Sequence, residues 1–362
     1  MNRGLYIHIP FCQTICTYCD FNKFFYNEKM ASKYIEAVKK EIEEYQIKDV
    51  TSIYIGGGTP TALNEAQLEE LLSFVSTLHN ESHSFALEAN VENLTESKIK
   101  ILKKYGVNRI SIGVQSFNQN LLKIMNRHHT YEEVLEKITL LHKYEIDDIN
   151  IDLIYGLPTQ TKEMLEEDLD KFLSLDVTHI STYALMINKN TVLGNKHTPE
   201  ASQEVYREFY DLILKRFEEK GFLRYEVSNF AKPGYESKHN LIYWHNEEYY
   251  GIGAGASGYI DDIRYTNTRS LTKYIEGARR LEEEQVTSKD HEFYFFMLGL
   301  RLSEGVSLSS YARIYNKDLI ETYRTKLDEL LENKLVEIVD DHLRITKNNL
   351  YIMDYILEKL LF

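Results

Sequence analysis

The sequence predicts an α/β protein whose first 230 residues or so form parallel strands joined by helices. Three observations carry that expectation. Strand-like and helix-like segments alternate over this stretch, the chemically unusual residues gather in loops directly after the strands, and three of only five prolines (Pro10, Pro60, Pro158) stand in those loops. Short β-rich segments separated by longer helical patterns imply βαβ units and a parallel sheet.

The strand candidates in order are Leu5–Ile9, Ser52–Ile55, Phe85–Ala89, Arg109–Gly113, Asn150–Ile154 and His179–Ala184. Helical patterns over Ala31–Tyr45, Glu65–Leu78, Glu96–Tyr105, Tyr131–Tyr144, Lys162–Leu173 and Gln203–Glu219 separate or follow them. Such a series suits an open doubly wound sheet or a partial barrel. In both, ligands lie at the carboxyl ends of the strands. The loops found there are Pro10–Cys19, Gly56–Pro60, Glu88–Asn90, Gln115–Ser116 and Tyr155–Pro158. Residues 231–285 read as a connecting segment. From 286 to 362 the alternation stops: helical stretches Glu292–Leu302 and Leu319–Glu332, a hairpin within Val336–Ile345 and a last helix to Leu361 suggest a small helical, winged-helix-like domain.

With 42 basic and 56 acidic residues the net charge is −14, which argues against a general nucleic-acid binder. The winged-helix-like domain, lacking a basic recognition helix, is therefore expected to pack or act as a lid. The sequence shows no apolar run of about 18 residues that could span a bilayer and no leader pattern at the N-terminus, so the expectation is a soluble, cytosolic chain.

Cys12, Cys16 and Cys19 are the chain's three cysteines, spaced C-x3-C-x2-C after the first strand. An odd, clustered set is no disulfide framework and reads as metal ligands. A cubane [4Fe–4S] cluster held by three thiolates keeps one iron open for a chelating small molecule. The competing metal is Zn²⁺ on three cysteines with His8 as the fourth ligand.

The stretches Tyr6-Ile-His-Ile-Pro-Phe-Cys12 and Tyr18-Cys-Asp-Phe21 resemble the opening of the radical S-adenosylmethionine (SAM) superfamily. More narrowly they resemble the branch holding oxygen-independent coproporphyrinogen III oxidase (HemN) and HemW-like haem chaperones. The resemblance implies a partial (βα)6-type barrel over residues 1–230, a [4Fe–4S] cluster on the three cysteines and SAM on the open iron. It further implies that Gly58 and Thr59, in Gly56-Gly-Gly-Thr-Pro60, receive the amino group of the methionine moiety. Glu88, Gln115, Arg127 and Asp152 fall where the family binds the nucleotide. Arg127 suits a carboxylate, Gln115 and Asp152 suit ribose hydroxyls, and Glu88 suits the cationic methionine end or the orienting of Arg127. Tyr6 is expected to face the cluster or the nucleotide.

His239-Asn-Leu-Ile-Tyr-Trp244 matches a motif of the HemW-like group. It implies haem as a further cofactor, with His239 as the candidate axial ligand; a structural histidine beside a core tryptophan is the alternative. Gly253-Ala-Gly-Ala-Ser-Gly258 fits G-x-G-x-x-G but lacks a βαβ unit of its own, and is read as a close-packed turn. Phe21 stands where the oxidase type has a further cysteine, and only eleven residues precede Cys12, where the oxidase type has a long extension. Both favour the chaperone over the decarboxylating oxidase, which stays the alternative. Asn126 replaces a glycine usual in the family, and Asn188 a glutamate. The implied partners are haem, an acceptor such as a respiratory haem protein, and a reductant such as flavodoxin or ferredoxin. Delivery of haem implies a position peripheral to the membrane.

Overall fold

Six strands stand where the alternation puts them: β1 (Gly4–Ile9), β2 (Ser52–Gly57), β3 (Ser84–Asn90), β4 (Arg109–Gln115), β5 (Asp148–Tyr155) and β6 (His179–Ala184). All are parallel, each paired with the next. The computed structural model describes residues 3–48, 50–78 and 83–362.

Side chains alternate across a strand, and here the alternation sorts them by polarity. Leu5, Ile7, Ile53, Ile55, Leu87, Ile110, Ile112, Ile151, Leu153 and Ile180 belong to one core with the flanking helices. The helix Glu28–Glu44 contributes Ala31, Tyr34, Ile35, Val38 and Ile42 to it. The intervening residues make polar rows across the sheet. Glu88 is level with Ser111, Ser111 with Asn150, and Asn150 with His179; one row further on, Asn90, Gly113, Asp152 and Ser181 align. A sheet with one apolar and one polar face needs something to occupy the polar side, and that is where the site lies.

The helices start on side-chain caps, Asn27, Asn64, Thr95, Thr130, Thr161 and Ser202, each accepting from a backbone N–H of the first turn. Asn64 with Gln67 and Thr130 with Glu133 complete reciprocal capping boxes, which fix the helix starts close to the strand-end loops.

Residues 231–285 do more than connect. Within them β7 (Tyr249–Ile252) pairs parallel with β1 on the side away from β2. Strands Ser257–Ile260, Ile263–Asn267 and Arg280–Gln285 extend the sheet antiparallel from there. Among the described residues the sheet has 12 strands in one open order. It is anchored to the helix Glu28–Glu44 by buried Glu41, which accepts from Gly253 N (3.0 Å), Asn267 Nδ2 (2.9 Å) and Tyr274 Oη (2.5 Å).

The C-terminal part has its own core around Phe296, Tyr311, Leu327, Leu343 and Ile356 and a three-stranded sheet of Val306–Ser307, His342–Ile345 and Val336–Val339. The helix expected over Leu319–Glu332 is two pieces, Leu319–Thr322 and Arg324–Glu332. The break is at Tyr323, whose ring packs 4.9 Å from Phe296 and whose hydroxyl donates to Glu292 (3.1 Å). No described helix is long and apolar enough to cross a membrane.

Candidate cluster and nucleotide site

A cavity of about 1260 Å³ lies over the carboxyl ends of β2 to β6. Cys12, Cys16, Cys19, Gly58, Thr59, Glu88, Gln115, Arg127 and Asp152 all line it.

The cysteine loop is built by its neighbours. Its first thiol stands on a two-residue strand, Phe11–Cys12, paired with Phe24–Phe25. Thr17 donates through its hydroxyl to Ile124 O (2.7 Å) and through its N–H to Met125 O (3.2 Å), Asn126 Nδ2 donates to Ile15 O (3.0 Å), and Lys23 Nζ donates to Cys19 O (2.6 Å). Asn126 has φ 60°, the left-handed conformation that explains the usual glycine; asparagine tolerates it and adds the bond to Ile15. Asn188 donates to Asp20 Oδ2 (2.5 Å), where a glutamate would face a like charge. On the other side Asn22 donates to Ala254 O (2.9 Å), so the Gly253–Gly258 turn braces the loop. Burial pushes the Cys12 thiol up to about 11 and raises Cys19. A metal bound here would supply the positive charge that ionises them.

Gly57 and Gly58 do their work by being small. Gly57 has φ 114°, and a Cβ there would lie 2.4 Å from the His8 ring; at Gly58 it would lie 2.9 Å from the Phe11 backbone. The close approach lets Gly58 N donate to Ile9 O (2.9 Å) and Thr59 N to Phe11 O (2.8 Å), locking this loop to the cysteine strand. Thr59 Oγ1 reaches Cys12 Sγ at 3.8 Å.

Glu88 accepts from Tyr54 Oη (2.7 Å) and Gly57 N (2.9 Å), and burial raises its pKa. Asp152 accepts from Asn150 Nδ2 (2.8 Å). Burial, and then the charge of Glu88, push it up to about 7. Two buried carboxylates, one raised by the other's charge, make a place for a cation. Arg127, 5% exposed, donates to Asn90 Oδ1 (3.2 Å), to Gly113 O and to Cys16 Sγ (3.6 Å). A bulge between Gly113 and Gln115 and φ 73° at Gln115 end β4 and turn Gln115 onto the cavity wall, a use of bulges common beside sites. Gln115 Oε1 and Arg127 Nε are buried with no hydrogen-bond partner. Buried polar atoms are almost always paired, so these two mark where this wall could take a ligand. The donor set thus fits an amino acid joined to a nucleoside: Glu88 for a cationic end, the Arg127 guanidinium for a carboxylate, and Gln115 with Asp152 for hydroxyls.

Tyr6 and His239 are not on this wall. Tyr6 lies beneath it, paired with His8 Nδ1 (2.9 Å) and stacked on Tyr54 (6.2 Å), so it touches the site through the Tyr54 that holds Glu88. His239 sits at the amino ends of β1 and β2, the far end of the strands. It is 1% exposed, with Nδ1 paired to Ser52 Oγ (3.0 Å), Nε2 to Tyr243 Oη (2.7 Å) and its ring stacked on Tyr54 at 5.3 Å. His8 is equally committed, through Tyr6 and Asn22 O (2.8 Å). Among the described residues no three His, Cys, Asp or Glu side chains stand close enough to hold a metal ion. Asn90 was missed by sequence reasoning. It donates to Thr59 Oγ1 (3.1 Å) while accepting from Arg127, and its position two residues after Glu88, hence on the same face, was the available signal.

Comparison with known proteins gives the family. The profile of the Radical SAM superfamily matches residues 6–172, and that of the HemN C-terminal domain residues 286–352. The heme chaperone HemW of Lactococcus lactis is 38% identical over 99% of this chain and 97% of its own length. The chain belongs to the HemW family. The HemW of Bacillus subtilis is 39% identical over 92% of both chains, and that of Escherichia coli 31% identical over 98% of this chain and 97% of its own. The solved structure of coproporphyrinogen III oxidase (HemN) from Escherichia coli superposes with a TM-score of 0.86, covering 99% of this chain and 90% of that one at 21% identity; at that identity it speaks for the fold alone. As radical SAM proteins, HemW-family chains take a [4Fe–4S] cluster and SAM. This one has an open, mostly parallel α/β fold of the HemN kind.

Proposed function

We propose that the chain is a haem chaperone which carries a [4Fe–4S] cluster on Cys12, Cys16 and Cys19 and hands haem to an acceptor protein. The observation that carries this reading is the convergence of those cysteines with Gly58, Thr59, Glu88, Gln115, Arg127 and Asp152 on one cavity wall, in a chain 38% identical to a heme chaperone over nearly all of its length.

In this reading Arg127 holds the methionine carboxylate and Glu88 the cationic methionine end, while Gln115 and Asp152 take the ribose. A reduced cluster held by Cys12, Cys16 and Cys19 would supply the electron for reductive cleavage of SAM. His239 is read as a structural histidine of the sheet, since both ring nitrogens are already bonded. The acceptor is a haem protein such as a respiratory one, the reductant a flavodoxin or ferredoxin, and the chain works in the cytoplasm, peripheral to the membrane during delivery. Exposed Phe21, where the oxidase type has a cysteine, supports the chaperone over the oxidase.

The test is anaerobic cluster reconstitution followed by two assays on one sample. Stoichiometric haem uptake with a Soret shift, without coproporphyrinogen turnover, is the expected outcome. Efficient conversion of coproporphyrinogen III to protoporphyrinogen would overturn it.

A further inference from the structure

The cavity has a second wall. Tyr183 reaches it from β6, Tyr206, Arg207 and Tyr210 from the helix Gln203–Glu218, Arg224 from the strand Leu223–Arg224, and Tyr351 from the C-terminal domain. Small-molecule sites run to roughly 300–1,000 Å³; at about 1260 Å³ this cavity has room for a second ligand beside the nucleotide.

The wall combines flat aromatic faces with incompletely used cations. Arg207 lies 4.3 Å over the Tyr351 ring, with only a long 3.9 Å pair to Asp211. Arg224 Nη1 is buried with no hydrogen-bond partner, and burial lowers its pKa. Nearby Glu226 attracts it through space but makes no ion pair with it; that carboxylate accepts from Ser228 N at 3.2 Å. Its other oxygen, Oε1, is buried without a partner, Arg224 also bonds Tyr210, and Glu218 attracts it while pairing with Lys347; the remaining acids bordering this wall are engaged, Glu200 accepting from Ile187 N (2.6 Å) and Glu204 bonding Ser202 at the start of its own helix. The other cations on the cavity lining, Lys23 and Arg127, are spent on the cysteine loop and the nucleotide wall. A partly buried guanidinium with an open donor selects a carboxylate.

Resting on the haem reading above, we propose that this wall seats the macrocycle by its propionates. Arg224 and Arg207 take the two carboxylates that stand side by side on one edge of haem, and Tyr183, Tyr206, Tyr210 and Tyr351 line its flat face. Haem held here shares a cavity with the cluster, which puts the nucleotide chemistry within reach of the cargo.

The experiment titrates the reconstituted full-length protein with haem and with haem dimethyl ester, whose propionates are capped. Wild type is expected to bind haem at least about tenfold more tightly than the ester. Arg224→Gln with Arg207→Gln should abolish that preference, and Arg224→Lys should restore part of it, with cluster absorbance and SAM binding unchanged throughout. Should Arg224→Gln fail to fold, the wild-type preference and Arg207→Gln, altered on a helix surface, still decide the matter. Equal wild-type affinity for haem and ester, or an undiminished preference in the double variant, would overturn the seat while sparing the chaperone reading. A wild type that binds no haem would end both.

Discussion

The two ends of the parallel strands bear equally polar side chains, yet they are finished differently. At the amino ends, His239 has both ring nitrogens bonded and is stacked on Tyr54. At the carboxyl ends, Gln115 and Arg127 keep buried atoms without partners, and Glu88 and Asp152 sit with raised pKa values. Most buried polar groups close their hydrogen bonds internally, and open ones beside a cavity are the candidates to meet a ligand. The contrast between these residues supports reading His239 as a structural histidine.

The contrast can be broken in several ways. The largest effect is expected from Cys12→Ser, Cys16→Ser or Cys19→Ser, each abolishing the cluster and with it SAM binding, while the melting temperature of the cluster-free chain stays close to wild type. Iron content and calorimetry on the same samples check this; a variant that keeps its cluster would remove that cysteine from the ligand set.

Next comes the nucleotide wall. Burial and the charge of Glu88 push Asp152 up to about 7, and a cationic ligand favours its charged form. SAM affinity should therefore climb as pH rises towards 7, by at most about tenfold per pH unit, and then level off. Asp152→Asn should flatten that profile. Arg127→Met should weaken SAM by about tenfold to a hundredfold with little pH dependence. Equilibrium binding between pH 5.5 and 8.5 tests both, and a wild-type profile already flat would remove Asp152 from contact with the nucleotide.

His239→Gln sharpens the other side of the comparison. Burial holds this imidazole down to about 3, so the unfolded chain binds a proton below about pH 6.5 that the folded chain refuses. Stability from this group is present above 6.5 and lost on acidification, at up to about 1.4 kcal/mol per pH unit. The variant should lose about 1–3 kcal/mol at neutral pH, show a shallower acid slope in urea unfolding, and bind haem and SAM like wild type. A loss of haem affinity with unaltered stability would return His239 to the haem site. Asn126→Gly should have the smallest effect: it keeps the left-handed turn and loses only the bond to Ile15, so it should speed cluster loss in air by a few-fold.

The strands and their order of use were legible because each places an apolar side chain on one face and a polar one on the other. The cysteine loop was legible because three thiols in eight residues have few other uses. The bulge that aims Gln115 was not legible, since glutamine has no preference for φ 73° and the irregularity is imposed by pairing with β5. Nor was the pairing of β7 with β1, a four-residue stretch joined to a strand some 240 positions earlier, too short to carry a periodic signal. For His239 a motif named the residue, but burial and partners decide a histidine's role and neither is written locally. The second wall, with Arg224 and Tyr351, draws on segments far apart in sequence and had no motif to announce it.

The most direct measurement is electron paramagnetic resonance of the anaerobically reconstituted, reduced protein with and without SAM, with iron and sulfide counted on the same sample. The account predicts about four irons and four sulfides per chain and a signal whose g-values shift when SAM is added, the shift disappearing in Arg127→Met at the same SAM concentration. A signal indifferent to SAM, or a colourless chain holding one zinc, would contradict it.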